Sequence, residues 1–107
     1  MGCEYLQVLT TAGSEREARA IAAALIERRL AACVQIAGPI ASVYRWQGEI
    51  ENAEEWHCLV KTASSRWDAV EAAIRELHSY DEPEIIATPI VAGSAGYLRW
   101  IDDSLGA

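Results

Sequence analysis

Residues 42–62 read Ser42-Val43-Tyr44-Arg45-Trp46-Gln47-Gly48-Glu49-Ile50-Glu51-Asn52-Ala53-Glu54-Glu55-Trp56-His57-Cys58-Leu59-Val60-Lys61-Thr62. Side chains alternate between the two faces of a strand, so Ser42 to Gln47 sets Tyr44 and Trp46 on one face and Val43 and Arg45 on the other. Gly48-Glu49 offers a turn. From Glu54 to Thr62 the alternation resumes, with Trp56, Cys58 and Val60 on one side and His57, Leu59 and Lys61 on the other. The stretch therefore predicts a hairpin, and everything around it must supply a layer to cover its apolar side.

Working upstream, Ala32 to Ile36 is apolar and β-leaning, and Gly38-Pro39 interrupts it before Ser42, which predicts one long, broken strand. Ser14-Glu15-Arg16-Glu17 reads as a capping box, with the Ser14 hydroxyl taking a helix N–H and Glu17 reaching back to the cap. Ile21 and Leu25, flanked by Ala18, Ala22 and Ala24, carry that helix to about Leu30. Glu4 to Thr11 is the first strand. Downstream, Ser64 or Ser65 is placed to cap a second helix whose stripe is Trp67, Val70, Ile74 and Leu77. Pro83 stops it around His78 to Tyr80. Glu84 to Val91 is the last strand, with Pro89 marking an edge, and Gly93-Ser94-Ala95-Gly96 is a loop. Tyr97 to Leu105 is a short helix with Leu98, Ile101 and Leu105 spaced to dock. The order βαββαβ with a terminal helix is that of an α+β, ferredoxin-like sandwich, an antiparallel sheet with both helices on one face. At 107 residues the chain is one domain spanning 1–107.

Two helices on one side leave the other sheet face bare, and a small chain with 4 Trp and 4 Tyr does not leave such a face in water. Self-association is the expected remedy, with Tyr44, Trp46 and Trp56 of the hairpin in the interface. A formal charge of -7 repels phosphate backbones and anionic lipid, which excludes nucleic-acid and membrane-surface partners. No apolar stretch approaches the roughly 20 residues of a membrane span. The start Met1-Gly2-Cys3-Glu4-Tyr5 has no basic leader, and cysteines at 3, 33 and 58 are an odd set unsuited to a disulfide framework, so a cytoplasmic location is expected.

The chain lacks a G-x-S-x-G elbow, a G-x-G-x-x-G turn and a phosphate loop, and Gly93-x-x-Gly96 is a turn before the last helix; no enzyme is expected. No C-x-x-C or H-x-x-x-H pair points to structural zinc. Cys33 and Cys58 read as small buried hydrophobes, and His57 and Cys58 point to opposite faces. His78 carries the most weight. It ends a helix and precedes Tyr80, Asp81, Glu82 and Glu84, an arrangement that either holds Cu(II) or Zn(II) or caps the helix C-terminus. Glu54-Glu55 and Asp102-Asp103 are adjacent pairs that diverge and read as solvated surface.

Several pieces in order then resemble the CutA divalent-cation tolerance family over nearly the whole chain. They are Leu30-Ala31-Ala32-Cys33-Val34, Ser42-x-Tyr44-x-Trp46-x-Gly48-x-Ile50, Lys61-Thr62, Leu77-His78-x-Tyr80-x-x-Pro83-Glu84-Ile85-Ile86-x-x-Pro89-Ile90, Gly93 and Tyr97-Leu98-x-Trp100. The resemblance implies a homotrimer similar in architecture to the P-II signalling proteins, and a role in tolerance of divalent metals, copper above all. It also implies a copper site at a Cys late in the first strand and two His ending the second helix; the matching positions are Thr10, Leu77 and His78. Only His78 keeps a soft donor, so copper held there would need Glu84, Tyr80 or a neighbouring subunit. Gln35 and Ser79 replace the family's Asn and Pro. The alternative that the resemblance opens is a P-II-like regulatory module binding a small molecule or anion in clefts between subunits, lined by Lys61, His78, Tyr80 and Glu84. Lys61, the single lysine, would supply the counter-charge.

Overall fold

Ser14 starts the first helix as its sequence predicts: its side-chain oxygen accepts the Glu17 N–H at 3.1 Å. The computed structural model describes residues 4–106, so the readings made on Met1 to Cys3 lie outside the described residues. Strand β1 (Tyr5–Ala12) leads to helix α1 (Glu15–Glu27), then to β2 (Cys33–Trp46) and β3 (Glu49–Ala63). A single 3-10 turn (Ser64–Arg66) enters helix α2 (Trp67–Leu77), followed by β4 (Ile85–Pro89) and helix α3 (Ala95–Leu105). The four strands form one antiparallel sheet in the order β2-β3-β1-β4, the α+β arrangement expected from the pattern.

The ends of the elements depart from the sequence reading where distant backbone intervenes. Helix α1 stops at Glu27 and does not reach Leu30, because Arg29 turns left-handed (φ 57°) and the Leu30 N–H returns to the Leu25 carbonyl at 2.9 Å. Neither Ser64 nor Ser65 caps α2: both lie inside the 3-10 turn that precedes it, with Arg66 at the cap position, and the Ser64 N–H extends the β1–β3 ladder to the Glu4 carbonyl at 2.8 Å. Asp68 in the first turn still complements the helix dipole. The last strand is shorter than expected, and α3 begins at Ala95, inside the anticipated loop.

Helices α1 and α2 cover one sheet face, and the core between them is Val8, Ala12, Ile21, Leu25, Cys58, Val60, Val70 and Ile74. Cys58 is fully buried and its thiol donates weakly to the Ala18 carbonyl at 3.6 Å, as a small core residue would. Trp56 shares this face and, half-buried, packs against the same core; Tyr44 and Trp46 are exposed. The indole lies over Gly38, where the β2–β3 register shifts between Ala37 and Ile40. The opposite face carries Gln7, Leu9, Leu59 and Ile86, with Lys61 donating to Gln35 Oε1 at 2.8 Å. Helix α3 sits at one end of that face, held where the Tyr5 hydroxyl donates to Asp102 at 2.6 Å and where Arg66 reaches the Leu105 carbonyl at 2.8 Å.

A Cβ on Gly38 would approach Trp56 Cδ1 to 2.6 Å, closer than carbon atoms pack. Gly38→Ala is therefore expected to destabilise the fold by about 1–3 kcal/mol, read as a lower denaturant midpoint with an unchanged slope. An unchanged midpoint would show that the indole has room to move.

Candidate functional site

The two arms of the hairpin outrun the sheet. Strand β1 ends opposite Trp56 at Ala12, so Glu55, Tyr44 and Trp46 project beyond it on the side away from α1 and α2. The segment that follows α2 rises against this overhang. Between them lies a cleft of about 590 Å³ whose lining includes Tyr44, Trp46, Glu55, Tyr80 and Glu84. Asp81 and Glu82 add two more carboxylates, and no lysine, arginine or histidine is in its lining.

The wall is fastened by His78. The backbone N–H of Tyr80 can only donate, so His78 Nδ1 accepts from it at 3.1 Å; the second ring nitrogen, Nε2, then carries the proton and donates to the Thr11 carbonyl at 2.6 Å. The imidazole side chain is fully buried. Beside it the Ser79 N–H donates to Glu17 Oε2 at 2.7 Å, so residue 17 braces the loop and does not close a capping box. Burial pulls the Glu17 carboxyl up, but the hydrogen bonds it accepts from Ser79 and the Gly13 N–H outweigh it and leave the group below its ordinary value. Tyr80 then crosses Gly13, whose missing Cβ leaves room for the phenol oxygen at 3.0 Å, and donates its hydroxyl to Glu55 Oε2 at 2.9 Å. Burial, then the Glu55 hydrogen bond and charge, push the Tyr80 hydroxyl up to about 12, so it stays a donor.

The sequence-derived residues thus separate. Tyr80 and Glu84 meet in the cleft, and Tyr44 and Trp46 join them. His78 stands behind the wall with both nitrogens engaged. Lys61 lies on the open sheet face with Gln35 and takes no part. Thr10 is buried with its hydroxyl unpartnered among the described residues, and Leu77 packs against the core. Among the described residues no three His, Cys, Asp or Glu side chains converge as a metal-holding group. A neutral hydroxyl, a leucine and an imidazole with no free lone pair do not fit a resident copper ion. Glu55 is the correction in the other direction: the adjacency of Glu54 and Glu55 reads as solvated surface, yet Glu55 is 7% exposed and bonded to Tyr80. Its signal in the sequence is faint, an acidic residue at the strand position where the partner strand has just ended.

The model of the CutA1 divalent ion tolerance protein family matches residues 6–104. The chain belongs to that family. The divalent-cation tolerance protein CutA of Thermus thermophilus is 46% identical over 99 residues, 92% of this chain and 96% of that protein. The solved structure of the periplasmic divalent cation tolerance protein CutA of Archaeoglobus fulgidus superposes with a TM-score of 0.92 at 42% identity, covering 94% of this chain and 98% of that one. CutA1 from a psychrotrophic Shewanella gives a TM-score of 0.94 at 38% identity over 97% of each chain. The CutA1 fold is therefore established across the sheet, the hairpin and the helices that frame the cleft.

The Glu17 brace has a pH signature. A carboxyl held below its ordinary 4.5 stabilises the folded state above that value, and the contribution is lost as pH falls through the folded one. Glu17→Gln is expected to unfold at a lower temperature than wild type at neutral pH, with the gap closing on acidification. A gap that does not vary with pH would contradict the assignment.

Proposed function

We propose that this CutA1-family chain is a non-enzymatic, cytoplasmic homotrimer that meets divalent cations through the acid-lined cleft beside its hairpin, not through a resident copper ion on His78. The observation that carries this reading is the cleft lining, four carboxylates with no basic side chain, in a chain of formal charge -7. Carboxylates are hard donors that hold divalent ions loosely and with little preference for copper unless they converge. Glu84 and Glu55 would make the contacts, and Glu82 contributes less because Arg75 pairs with it at 3.3 Å. His78 serves the site by holding Tyr80 in the wall.

Assembly is supported by exposed apolar groups on the hairpin and the open face: Val43 is 67%, Trp46 54%, Ile50 65% and Ile86 51% exposed. Burying them against further copies is the most direct way to remove them from water. The cytoplasmic placement rests on free thiols at Cys33 and Cys58. Among the described residues no helix is long and apolar enough to cross a membrane.

A second reading, a regulatory module that binds a small molecule, is favoured by one feature: the cleft has the volume of a ligand site and aromatic walls in Tyr44, Trp46 and Tyr80. Its anion form would need Lys61, which pairs with Gln35 on the open sheet face, to reach a cleft formed with a neighbouring subunit.

Native mass spectrometry of metal-stripped protein is expected to return a trimer with weak copper and zinc adducts. Those adducts should persist in His78→Ala and fall in Glu55→Gln/Glu84→Gln. The His78 variant should instead lose about 1–3 kcal/mol of stability, because a buried ring is removed and the part-buried Thr11 carbonyl loses its donor. A monomer would overturn the assembly. A stoichiometric copper adduct that survives a chelator and disappears in His78→Ala would overturn the site.

A further inference from the structure

His78 makes two hydrogen bonds that only one charge state of an imidazole can make. Its side chain is fully buried within its own subunit. Nε2 donates to the Thr11 carbonyl at 2.6 Å and Nδ1 accepts the Tyr80 N–H at 3.1 Å, which requires a neutral ring. A second proton would sit on Nδ1 and face the Tyr80 N–H donor to donor, so a charged ring cannot keep that bond. Imidazole is also the side chain whose ordinary titration lies nearest neutrality.

An acceptor for that proton is already in place. Glu17 Oε2 on α1 stands 3.7 Å from Nδ1, and among the described residues it is the one carboxylate within ion-pair reach of the ring. The same oxygen takes the Ser79 N–H at 2.7 Å, and its two lone pairs let it serve both donors. Held below its ordinary value, the Glu17 carboxyl stays ionised in mild acid. The Tyr80 ring, 4.7 Å from the imidazole between centroids, has its hydroxyl pushed up to about 12 and stays neutral. So does the Cys58 thiol of β3, pushed up to about 11. Glu55 of β3 is joined to the ring through Tyr80, β1 presents the Thr11 carbonyl, and Arg75 of α2 is turned to Glu71 and Glu82.

We propose that His78 is a proton-operated latch on the cleft wall: neutral, it holds the Tyr80 amide; protonated from water, it exchanges that bond for an ion pair with Glu17 and releases Tyr80. Ser79 stays tied to Glu17 in both states, so the movement is confined to Tyr80 and the residues after it. Tyr80 carries the hydroxyl bonded to the Glu55 carboxylate, so a proton taken up behind the wall frees an acid in front of it. The latch is built within one subunit and works whatever the cleft binds.

The test is nitrogen-15 NMR of the intact, metal-free assembly from about pH 8 to about pH 5, following the His78 ring and the amides of Ser79 and Tyr80. The ring is expected to gain its proton in one step, and the Tyr80 amide to lose its hydrogen-bond coupling to Nδ1 in that same step. Its protection against hydrogen exchange should fall about tenfold, while that of Ser79 holds. Glu17→Gln keeps the shape and still accepts the Ser79 N–H but offers no charge. Its ring should therefore remain neutral, with Tyr80 bonded, at pH values where the wild-type latch is open, and its spectrum at the alkaline end establishes that it is folded. A wild-type ring that stays neutral across the whole range, or one that charges while the Tyr80 amide is unmoved, would overturn the inference. A Glu17→Gln ring that charges at the wild-type pH would overturn it as well.

Discussion

An imidazole anchored at both nitrogens sets the geometry of this molecule's functional end. His78 leaves α2 in extended conformation and joins the Thr11 carbonyl on β1 to the Tyr80 amide of its own loop. That bridge ties helix layer, sheet and loop into one body, and the neighbouring Ser79–Glu17 contact adds α1. The bridge acts with the Ser79–Glu17 and Tyr80–Glu55 hydrogen bonds to define the path of residues 79–84, to which exposed pairings such as Arg75–Glu82 add little. With it, Tyr80 is delivered across Gly13 to Glu55, and the cleft acquires a fixed wall. A ring so used has nothing left to offer a metal unless the wall comes apart, so structural and ligating roles compete for the same lone pair.

The three positions at which the resemblance implies a copper site therefore offer no soft donor set: Thr10 and Leu77 carry none, and the His78 bridge occupies the remaining lone pair. What remains is an acidic, aromatic recess outside the metal-binding positions, opening where the hairpin overhangs the end of β1. Charge there is managed by the protein only in part: Arg75 answers Glu82, while Glu55 has a phenol and no cation.

Most of the fold is legible in the sequence because its signals are local. Period-two alternation in Ser42 to Thr62 and the apolar stripe Trp67, Val70, Ile74, Leu77 are statements about neighbours, and Ser14 caps a helix with a bond three residues long. The failures share a cause. Ser64 continues the β1–β3 ladder to Glu4, sixty residues away, and enters a 3-10 turn instead of capping α2, and helix α1 ends early on a left-handed Arg29 that no residue type there announces. At the site, Tyr80 and Glu84 were legible as polar residues after a helix. Glu55 was not, since its burial comes from a loop 25 residues further along the chain. Trp56 alternates with Cys58 and Val60, and that alternation sets it against the core side of the sheet while leaving it partly exposed. Within the subunit, pairing of β3 with β2 puts Lys61 on the open sheet face with Gln35.

The most direct measurement is nitrogen-15 NMR of the His78 ring in mildly alkaline buffer, before and after substoichiometric copper(II). If His78 is a fastening, Nδ1 shows the shift of an unprotonated acceptor, Nε2 that of a hydrogen-bonded N–H, and both signals survive while carboxylate-bearing residues around the cleft broaden first. A ring whose nitrogens exchange freely between tautomers, or whose signals vanish before any others, would mean that His78 is a metal ligand and that the wall has some other support.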